Sequence, residues 1–432
     1  MSFPQPSRVS ADVDAEPPLE RYHRIRSFTE HLCATLETED YVIQSMDDVS
    51  PTRWHLAHTS WFFETFILTP HMQGYETPDP IYNYLFNSYY NAVGRQFHRP
   101  RRGLLSRPTV KGVYDYRAHI DRHMKDLLGS GDVALRSRIA PVLEVGLNHE
   151  QQHQELMLTD IKHVFSCNPI NPVFRKVEPL GRRAQPGEMG WMSWDEDMHD
   201  IGHEGTGFAY DNESPRHRAF VPAFKLSTRL VTNGEFKAFM ADDGYRRSEL
   251  WLSEGWATVQ RENWNAPLYW DNSEGPGWQQ FTLSGLRDVD DAEPVCHVSL
   301  FEADAFARWA GARLPTEFEW EAAAARHDID GNFVGDGALH PAPTPEAPAQ
   351  GRLGQLFGDV WEWTQSHYSP YPGYRPAEGA IGEYNGKFMC NQFVLRGGSC
   401  ATSRDHIRKT YRNFFPAHSR WQFTGIRLAS EE

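Results

Sequence analysis

Residues 142–157 read Val-Leu-Glu-Val-Gly-Leu-Asn-His-Glu-Gln-Gln-His-Gln-Glu-Leu-Met, inside a segment predicted to be helical over Val133–Val164. At about 100° per residue, His149 and His153 lie on the same stripe as apolar side chains of that helix. The two imidazoles therefore point inward, with their Cβ atoms about 5–6 Å apart. An inward-facing imidazole pair needs partners for its nitrogens, and either one metal ion or neighbouring core residues would supply them.

A second predicted helix begins at Ser50-Pro51, with serine as the N-cap and proline at the first helical position. In this helix His58 shares a stripe with Trp54 and Trp61, whereas His55 lies about 60° to one side. We therefore expect His58 to be a third metal ligand and His55 to be a flanking or surface residue. Three neutral imidazoles would leave positions on the ion open, as in catalytic metal sites.

The first 167 residues favour a four-helix bundle around these histidines. Apolar residues spaced by three and four predict four helices, at Tyr22–Leu36, from Pro51 to about Leu68, at Val113–Leu128 and at Val133–Val164. The connection Thr69–Lys111 is unusually long, which is typical of a functional loop.

The composition changes after Cys167 and divides the chain into segments. Residues 1–19 are polar and proline-rich and are expected to be disordered, residues 20–167 form the predicted bundle, and residues 168–187 form a proline-rich linker. Residues 188–432 are typical of a loop-rich α+β domain, so the predicted fold class is α+β and multidomain. Helices and short strand-like runs are predicted there at Asn233–Met240, Leu300–Ala310, Arg218–Pro222, Phe393–Leu395 and Gly425–Leu428.

Composition and charge exclude several classes of protein. The 43 Lys+Arg and 58 Asp+Glu give a net charge of −15 without a basic stripe, which disfavours nucleic-acid binding. No apolar run approaches the roughly 18 residues of a membrane span, and Met1–Pro18 has no signal-peptide pattern. The five cysteines lack CxxC spacing, so we expect a reducing cytoplasm rather than a disulfide framework or a cysteine-based zinc site.

The segment His149–His153 also matches the zinc-peptidase pattern H-E-x-x-H. The extended form of that pattern, with a glycine and a further histidine, is absent. A downstream glutamate, Glu178, falls in the predicted linker rather than on a helix. The peptidase interpretation is therefore disfavoured.

Aromatic and basic residues in the long connection and near the C-terminus are candidate binding groups. If the connection covers a metal, a phenol of Tyr89-Tyr90 could donate a proton to a reduced oxygen species, and nearby arginines could hold a substrate carboxylate. Ordinary packing and surface solvation are the alternatives. In the tail, Asn413 and Phe414-Phe415 would suit a bulky organic cation through its attraction to ring faces.

Motifs in both halves carry a resemblance to a known family. They are Ser50–Glu64, His149–His153, Asp211–Pro215, Val231–Asn233, Arg313–Glu321, Gly358–Thr364 and Arg396–Ser399. Together they resemble the ergothioneine-biosynthesis sulfoxide synthases, over nearly the whole chain beyond residue 20. Those proteins join an N-terminal DinB-like helical bundle to a formylglycine-generating-enzyme-like domain with a C-type-lectin-like core.

The resemblance implies a mononuclear non-haem iron(II) centre, Fe(2+), held by His58, His149 and His153. It implies an O2-dependent reaction that joins the sulfur of cysteine to C2 of the imidazole of hercynine (Nα-trimethylhistidine) and leaves a sulfoxide. Tyr89-Tyr90 resembles the subgroup whose catalytic tyrosine comes from the bundle loop rather than from the second domain. That subgroup is linked to free cysteine, with γ-glutamylcysteine as the alternative donor.

The resemblance also implies residues that bind the substrates. Gln152 matches the position that contacts the hercynine imidazole, and Asn413, Phe414 and Phe415 match the tail around its trimethylammonium group and carboxylate. Candidates for the carboxylate of the thiol substrate are Arg95, Arg99, His418 and Arg420, with Arg101 and Arg102 as further ones. A tyrosine proton would steer the reaction toward carbon–sulfur bonding and away from oxidation of the thiol to a sulfinate.

Three other functions compete with this interpretation. A DinB-like thiol S-transferase also uses three histidines, usually with zinc, and consumes no oxygen; the fused second domain with its aromatic tail disfavours it. Formylglycine generation needs two cysteines after Gly397–Ser399, where this chain has Thr402 and Ile407. A lectin-like binding module would hold no metal at all.

Overall fold

The computed structural model describes residues 16–177, 186–273, 275–344 and 351–431. The helices of the first half are α1 (Pro18–Cys33), α2 (Thr52–Phe63), α3 (Thr69–His71), α4 (Tyr82–Phe86), α5 (Val110–Gly129) and α6 (Val133–Ser166). Those of the second half are α7 (Asn233–Ala241), α8 (Ser253–Glu262), α9 (Leu300–Trp309) and α10 (Glu317–Ala324). None of the helices in these ranges combines the length and the apolar character that crossing a bilayer requires.

The four long helices α1, α2, α5 and α6 correspond to the four predicted from apolar spacing. Helix α2 continues into a π-helical turn over Glu64–Leu68, so the chain stays helical to the predicted end. Thr109 and Asp132 cap α5 and α6, each accepting a hydrogen bond from a first-turn amide with its side-chain oxygen. Large apolar side chains, Trp61 and Phe62 among them, are completely buried between these helices.

Helix α2 begins one residue later than predicted. Thr52 is its first residue and Pro51 occupies the cap position. Ser50 is not a cap, because its Oγ accepts a hydrogen bond from Nη1 of Arg102 at 2.9 Å and its N–H donates to Oδ2 of Asp160 at 2.8 Å. Ser50 therefore joins the start of α2 to α6 and to the long connection.

The long connection folds back over α2 after helix α4. Asn87 closes a tight turn, donating from Nδ2 to the carbonyl of Tyr90 at 2.9 Å and accepting from the N–H of Tyr90 at 3.0 Å. Nε1 of Trp54, on α2, donates to the carbonyl of Leu85 at 3.0 Å. These bonds place Tyr89 and Tyr90 next to the helix that carries His58.

The second half is built from short strands. They are β1 (Trp191–Trp194), β2 (Asp197–Ile201), β3 (His217–Val221), β4 (Phe224–Ser227), β5 (Trp270–Asp271), β6 (Gln279–Thr282), β7 (Gly285–Asp288), β8 (Gly331–Asn332), β9 (Phe357–Gly358), β10 (Trp361–His367), β11 (Phe393–Arg396), β12 (Asn413–Phe415), β13 (Thr424–Gly425) and β14 (Ala429–Ser430). The largest sheet has the order β12-β11-β10-β13, and two three-stranded sheets have the orders β1-β4-β14 and β5-β6-β7. The α+β class is therefore confirmed.

Several predicted elements of the second half are present at nearly the predicted bounds. Helices α7 and α9 and strands β3 and β11 confirm four of the five predicted runs. The fifth, Gly425–Leu428, is wrong as a strand, because only Gly425 belongs to β13 and β14 begins at Ala429. Helices α8 and α10 were not predicted.

Helix α6 joins the two halves of the molecule. The buried carboxylate of Glu155 accepts hydrogen bonds from Nε1 of Trp361 at 2.6 Å, from Oγ of Ser399 at 2.7 Å and from Oγ1 of Thr402 at 2.9 Å. Gln151, one turn earlier, donates to Asp405 at 2.7 Å. The face of α6 next to its histidines is thus fixed against the second half.

Parts of two predicted segments lie outside the described residues. Of the N-terminal segment 1–19, residues 1–15 are outside, and α1 begins at Pro18, within that predicted segment. Of the linker 168–187, residues 178–185 are outside. The described part of that linker, 168–177 and 186–187, contains neither helix nor strand.

Candidate metal centre

Three histidine side chains from two helices meet in the core of the bundle. His58 comes from α2, and His149 and His153 come from successive turns of α6. One nitrogen of each lies within 4.8 Å of one nitrogen of the others, and Nε2 of His58 is 3.2 Å from Nε2 of His149. None of the three is more than 8% exposed. The sequence-predicted set is therefore brought together.

The ring of His58 is fixed on both faces and at one edge. It stacks between Trp54 and Trp61, with ring centroids 4.6 Å and 5.5 Å away. Its Nδ1 lies 2.6 Å from the carbonyl oxygen of Phe86. Because a carbonyl can only accept, the proton sits on Nδ1, and the lone pair of Nε2 faces the other two imidazoles.

All three imidazoles are in the neutral form at neutral pH. Burial lowers the pKa of His149 to about 3. Burial, with the neighbouring imidazoles adding to it, holds the pKa of His58 and of His153 well below the usual range. A neutral imidazole is the form that binds a metal ion.

The cluster fits one metal ion. Imidazole nitrogens bind first-row metals at about 2.0–2.2 Å, which places two ligands of one ion about 3 Å apart. The 3.2 Å between the Nε2 atoms of His58 and His149 agrees with that spacing. Within the described part of the chain, no carboxylate or thiol joins these three nitrogens in the cluster. Such a set would leave several coordination positions for reactants.

His55 lies directly behind the cluster. It is only 3% exposed, and its Nδ1 is 2.8 Å from Nδ1 of His153. Its other nitrogen is 2.9 Å from Oδ2 of Asp160. The expectation of a flanking residue is confirmed, and the alternative of a surface residue is wrong because His55 is buried against His153 and Asp160 of α6.

Glu150, the glutamate of the peptidase-like pattern, is held away from the three imidazoles by two arginines. Its carboxylate is fully buried and pairs with Nη1 of Arg26 at 3.0 Å and with Nη2 of Arg117 at 2.5 Å. Burial opposes ionisation, but the guanidinium groups of Arg117 and Arg26 outweigh it and lower the pKa of Glu150 to about 2. A carboxylate held in this way cannot act as the general base that a zinc peptidase needs.

Gln152 is held by two tyrosines of the second half. Its Nε2 donates to Oη of Tyr411 at 2.6 Å, and its Oε1 accepts a short hydrogen bond from Oη of Tyr384. The ring of Tyr384 lies edge-on to His149, with centroids 5.7 Å apart. Gln152 therefore lies at the border between the imidazole cluster and the second half.

The predicted tyrosine pair lies between the cluster and the second half. Tyr90 is fully buried against Trp61, at 5.6 Å between centroids, and stacks on Tyr89 at 4.7 Å. Burial raises the pKa of both phenols, so both remain protonated at neutral pH. Tyr89 in turn lies edge-on to Tyr384 at 6.3 Å.

The predicted tail residues form strand β12 near this tyrosine group. Phe414 stacks on Tyr368, with centroids 4.0 Å apart, and lies 6.0 Å from Phe388. Phe388 contacts Tyr89 edge-on at 5.1 Å. Asn413, Phe414 and Phe415 are all half-buried, so aromatic contacts connect a partly open strand with the imidazole cluster.

Comparisons with known proteins match both halves of the chain. Residues 21–157 match the model of the DinB superfamily, and residues 198–352 and 347–432 match the sulfatase-modifying factor enzyme 1-like domain. The hercynine oxygenase of Mycolicibacterium thermoresistibile is 33% identical over 380 residues, which are 76% of this chain and 82% of that protein. The chain belongs to the hercynine oxygenase family. The resemblance to the ergothioneine-biosynthesis sulfoxide synthases is thereby confirmed.

Other relatives of this hercynine oxygenase family member cover different shares of the chain. The hercynine oxygenase of Mycobacterium tuberculosis is 32% identical over 368 residues, 76% of this chain and 84% of that protein. The formylglycine-generating enzyme of Streptomyces coelicolor is 32% identical over 237 residues, only 45% of this chain and 73% of that protein. At the two positions aligned with the cysteines needed for formylglycine generation, this chain has a threonine bonded to Glu155 and a buried isoleucine.

Of the four main candidates for holding the thiol substrate, three are exposed and one is buried. Arg95 and Arg99 are exposed; Arg95 lies 5.7 Å above the ring of Tyr84. His418 is exposed as well. Arg420 is buried in an ion pair with Glu302 at 3.0 Å. Their role in binding a thiol stays a prediction.

Sequence reasoning missed Tyr384 as a residue of this family member's site. It lies in the irregular segment between β10 and β11, where neither a helical nor a strand period marks an inward face. Glu383, beside it, accepts hydrogen bonds from the backbone N–H groups of Asn91 and Ala92 at 3.0 Å and 2.7 Å. These long-range hydrogen bonds hold Tyr384 against the loop of Tyr89 and Tyr90. No local sequence pattern predicts them.

Proposed function

We propose that this chain is a non-haem iron(II) sulfoxide synthase of ergothioneine biosynthesis. It joins the sulfur of cysteine, or of γ-glutamylcysteine, to C2 of the hercynine imidazole with O2 as oxidant. One oxygen atom stays in the sulfoxide and the other leaves as water. The observation that carries the proposal is the convergence of three buried, neutral imidazoles, His58, His149 and His153, from two helices.

The donor set suits iron(II) in a catalytic role. A ferrous ion bound by the three imidazoles would supply open coordination positions, redox chemistry toward O2 and a positive charge that favours the thiolate over the thiol. The chain's own part is to hold three lone pairs in fixed directions and to keep carboxylates out of the cluster. Two tryptophans and a backbone carbonyl fix the direction of the His58 lone pair.

Gln152 is prepared to accept a hydrogen bond from a substrate N–H. Nδ2 of Asn148 donates to a backbone carbonyl at 3.0 Å, so its Oδ1 must accept from Nδ1 of His406 at 2.9 Å. Nε2 of His406 then accepts from Oη of Tyr411 at 3.1 Å, and Tyr411 accepts from Nε2 of Gln152. The Oε1 atom of Gln152 is therefore an acceptor; it already accepts from Oη of Tyr384, and its second lone pair would suit an imidazole N–H of hercynine.

The tail offers an environment for the cationic end of hercynine. Strand β12 presents Phe414 and Phe415 as half-buried rings, and Tyr368 stacks on Phe414 at 4.0 Å. Ring faces attract quaternary ammonium groups more strongly where water is partly excluded. Asn413 adds an amide next to these rings, a suitable partner for the carboxylate.

Tyr90 is the favoured proton donor of the tyrosine pair. Its Oη is buried and has no hydrogen-bond partner of good geometry among the described residues. Its ring contacts Trp61, which stacks on His58, whereas Tyr89 contacts Phe388 of the second half. Burial raises the pKa of Tyr90 well above its ordinary value, so the proton is retained until a basic oxygen species appears. Delivery of that proton favours sulfoxide formation over oxidation of the thiol to a sulfinate.

Replacing Tyr90 by phenylalanine is expected to lower sulfoxide formation by about 10²- to 10⁴-fold, the usual contribution of a positioned acid. Sulfinate formation from the thiol should continue, because the substitution leaves the three imidazoles in place. The ratio of the two products, measured by mass spectrometry, checks this. Tyr84→Phe, on α4, is the matched control and should leave the ratio unchanged. An unchanged ratio in the Tyr89→Phe, Tyr90→Phe double variant would exclude the bundle tyrosines as donors.

Turnover under air tests the proposed function as a whole. The iron(II)-loaded protein is incubated with hercynine and either cysteine or γ-glutamylcysteine. O2 uptake is recorded, and the mass of the product is determined by mass spectrometry. We expect a product that contains both substrates and one added oxygen atom, with cysteine preferred. Conjugation without O2 uptake would contradict the proposal and favour a DinB-like thiol S-transferase.

The five unpaired cysteines agree with our prediction of a reducing cytoplasm as the site of the reaction.

A further inference from the structure

The three imidazoles differ in what supports the nitrogen that faces away from the cluster. His58 donates to a backbone carbonyl, and Nδ1 of His149 has no hydrogen-bond partner in the described part of the chain. His153 alone is backed by side chains: its Nδ1 contacts His55, whose other nitrogen contacts Asp160. The contact of His153 with the His55–Asp160 pair is therefore specific to this histidine and is not shared by the other two.

The direction of the hydrogen bonds that link His153, His55 and Asp160 follows from the carboxylate of Asp160, which can only accept. Oδ2 of Asp160 accepts from the backbone N–H of Ser50 at 2.8 Å, so this carboxylate oxygen is an acceptor. Nε2 of His55, 2.9 Å from the same oxygen, must therefore carry a proton and donate it. In a neutral His55 the Nδ1 atom is then an acceptor, and Nδ1 of His153, 2.8 Å away, must donate to it. The lone pair of His153 is thereby directed from Nε2 into the cluster.

The carboxylate of Asp160 is buried and held in place by its neighbours. It is 3% exposed and lies two turns after His153 on α6. Ser50, which donates to it, accepts a hydrogen bond in turn from the guanidinium of Arg102, a side chain only 4% exposed. The positive charge of Arg102 lies near the carboxylate and offsets the cost of burying it.

We propose that His55 and Asp160 are positioning residues that set the proton position and ring orientation of His153 for metal binding. The inference rests on the proposed metal centre and extends it. Outer partners of this kind raise the basicity of a ligating imidazole, and their loss typically lowers metal affinity by 10- to 100-fold. Sequence periodicity placed His55 beside the ligand stripe, which is where a residue that contacts a ligand rather than the ion belongs.

The test compares metal binding in three variants at histidines. His55→Phe removes the acceptor for His153, and we expect it to weaken iron(II) binding by about 10- to 100-fold. His55→Asn places an amide oxygen near the position of Nδ1 and should recover most of that loss. The matched control is His340→Phe, which breaks another buried histidine–carboxylate pair, His340 and Glu293 at 3.1 Å, and should leave metal affinity unchanged.

Affinity is measured by competition with a chromophoric chelator, and the visible spectrum of the cobalt(II)-loaded protein reports the ligand geometry. Wild-type affinity and spectrum in His55→Phe would overturn the inference, as would equal losses in the phenylalanine and asparagine variants. If His55→Phe does not fold, Asp160→Asn replaces it, with a smaller expected loss because only the negative charge is removed; an unchanged affinity there would equally overturn it. A wild-type protein that binds neither iron(II) nor cobalt(II) would instead contradict the proposed function.

Discussion

Replacing His149 by alanine is expected to lower iron(II) affinity by more than about 100-fold and to abolish sulfoxide formation. The loss exceeds that expected for an outer partner, because a donor atom itself is removed and two nitrogens remain. His149 supplies the Nε2 atom 3.2 Å from that of His58, and among the described residues only His58 and His153 join it in the cluster. Iron content after gel filtration and product formation with cysteine and hercynine measure the two effects.

A surface histidine pair provides the matched control. His119 and His123 lie four residues apart on α5, with ring centroids 4.3 Å apart, but both are half-exposed, and no third ligand in the described part of the chain forms a cluster with them. His123→Ala removes the same chemical group from the same spacing and should leave iron content and activity unchanged. Full iron content in His149→Ala would show that this imidazole is not a ligand.

Replacing Glu150 by glutamine is expected to lower the free energy of unfolding by up to about 3–5 kcal/mol, because it removes the one fully buried counter-charge of two buried guanidinium groups. Arg26 then keeps only Asp121, at 2.7 Å, and Arg117 keeps only Glu30, at 3.1 Å, and both of these carboxylates are partly exposed. Arg117 is completely buried and Arg26 nearly so, so the lost carboxylate contributes strongly to both charges. Urea unfolding at pH 7 measures the change. Glu144→Gln is the control: its partner is Arg21, at 2.7 Å, but its side chain is 36% exposed, so about 0–1 kcal/mol is expected.

The same carboxylate predicts an acid limit of stability. The folded-state pKa of Glu150 is about 2, below its ordinary value of 4.5, so its contribution is complete above the higher value. The contribution is lost as the pH falls from about 4.5 toward 2, because the unfolded chain takes up the proton first. The stability of the Glu150→Gln variant should not show this part of the pH dependence. A Glu150→Gln variant as stable as the wild type would contradict the role of Glu150 as the buried counter-charge of Arg26 and Arg117.

The bundle and its histidines were predictable because both follow the helical period. Apolar spacing predicted the helices α1, α2, α5 and α6, and the same period placed His58, His149 and His153 on inward stripes. In the second half, helix α10 follows Thr316 with Glu319 as its third residue, a capping box that the sequence displays and that would have identified it. Helix α8 has no side-chain cap, so its start carries no such signal.

What escaped prediction depends on contacts between residues far apart in the chain. Tyr384 reaches Gln152 across 232 positions, from a segment without any regular period. Asp160 lies two turns after His153 on α6, but its contact with His55 depends on how α2 packs against α6. Sequence periodicity shows which face of a helix is buried, but the partner on that face is set by packing.

X-ray absorption at the iron edge of the iron(II)-loaded protein tests the central claim most directly. We predict one iron per chain, with nitrogen or oxygen neighbours at about 2.0–2.2 Å, three of them imidazoles, and no thiolate from the chain. The multiple-scattering pattern of imidazole should weaken by one ring in His58→Ala. A protein that binds no iron, or an ion whose positions are closed by a fourth side chain, would contradict the account.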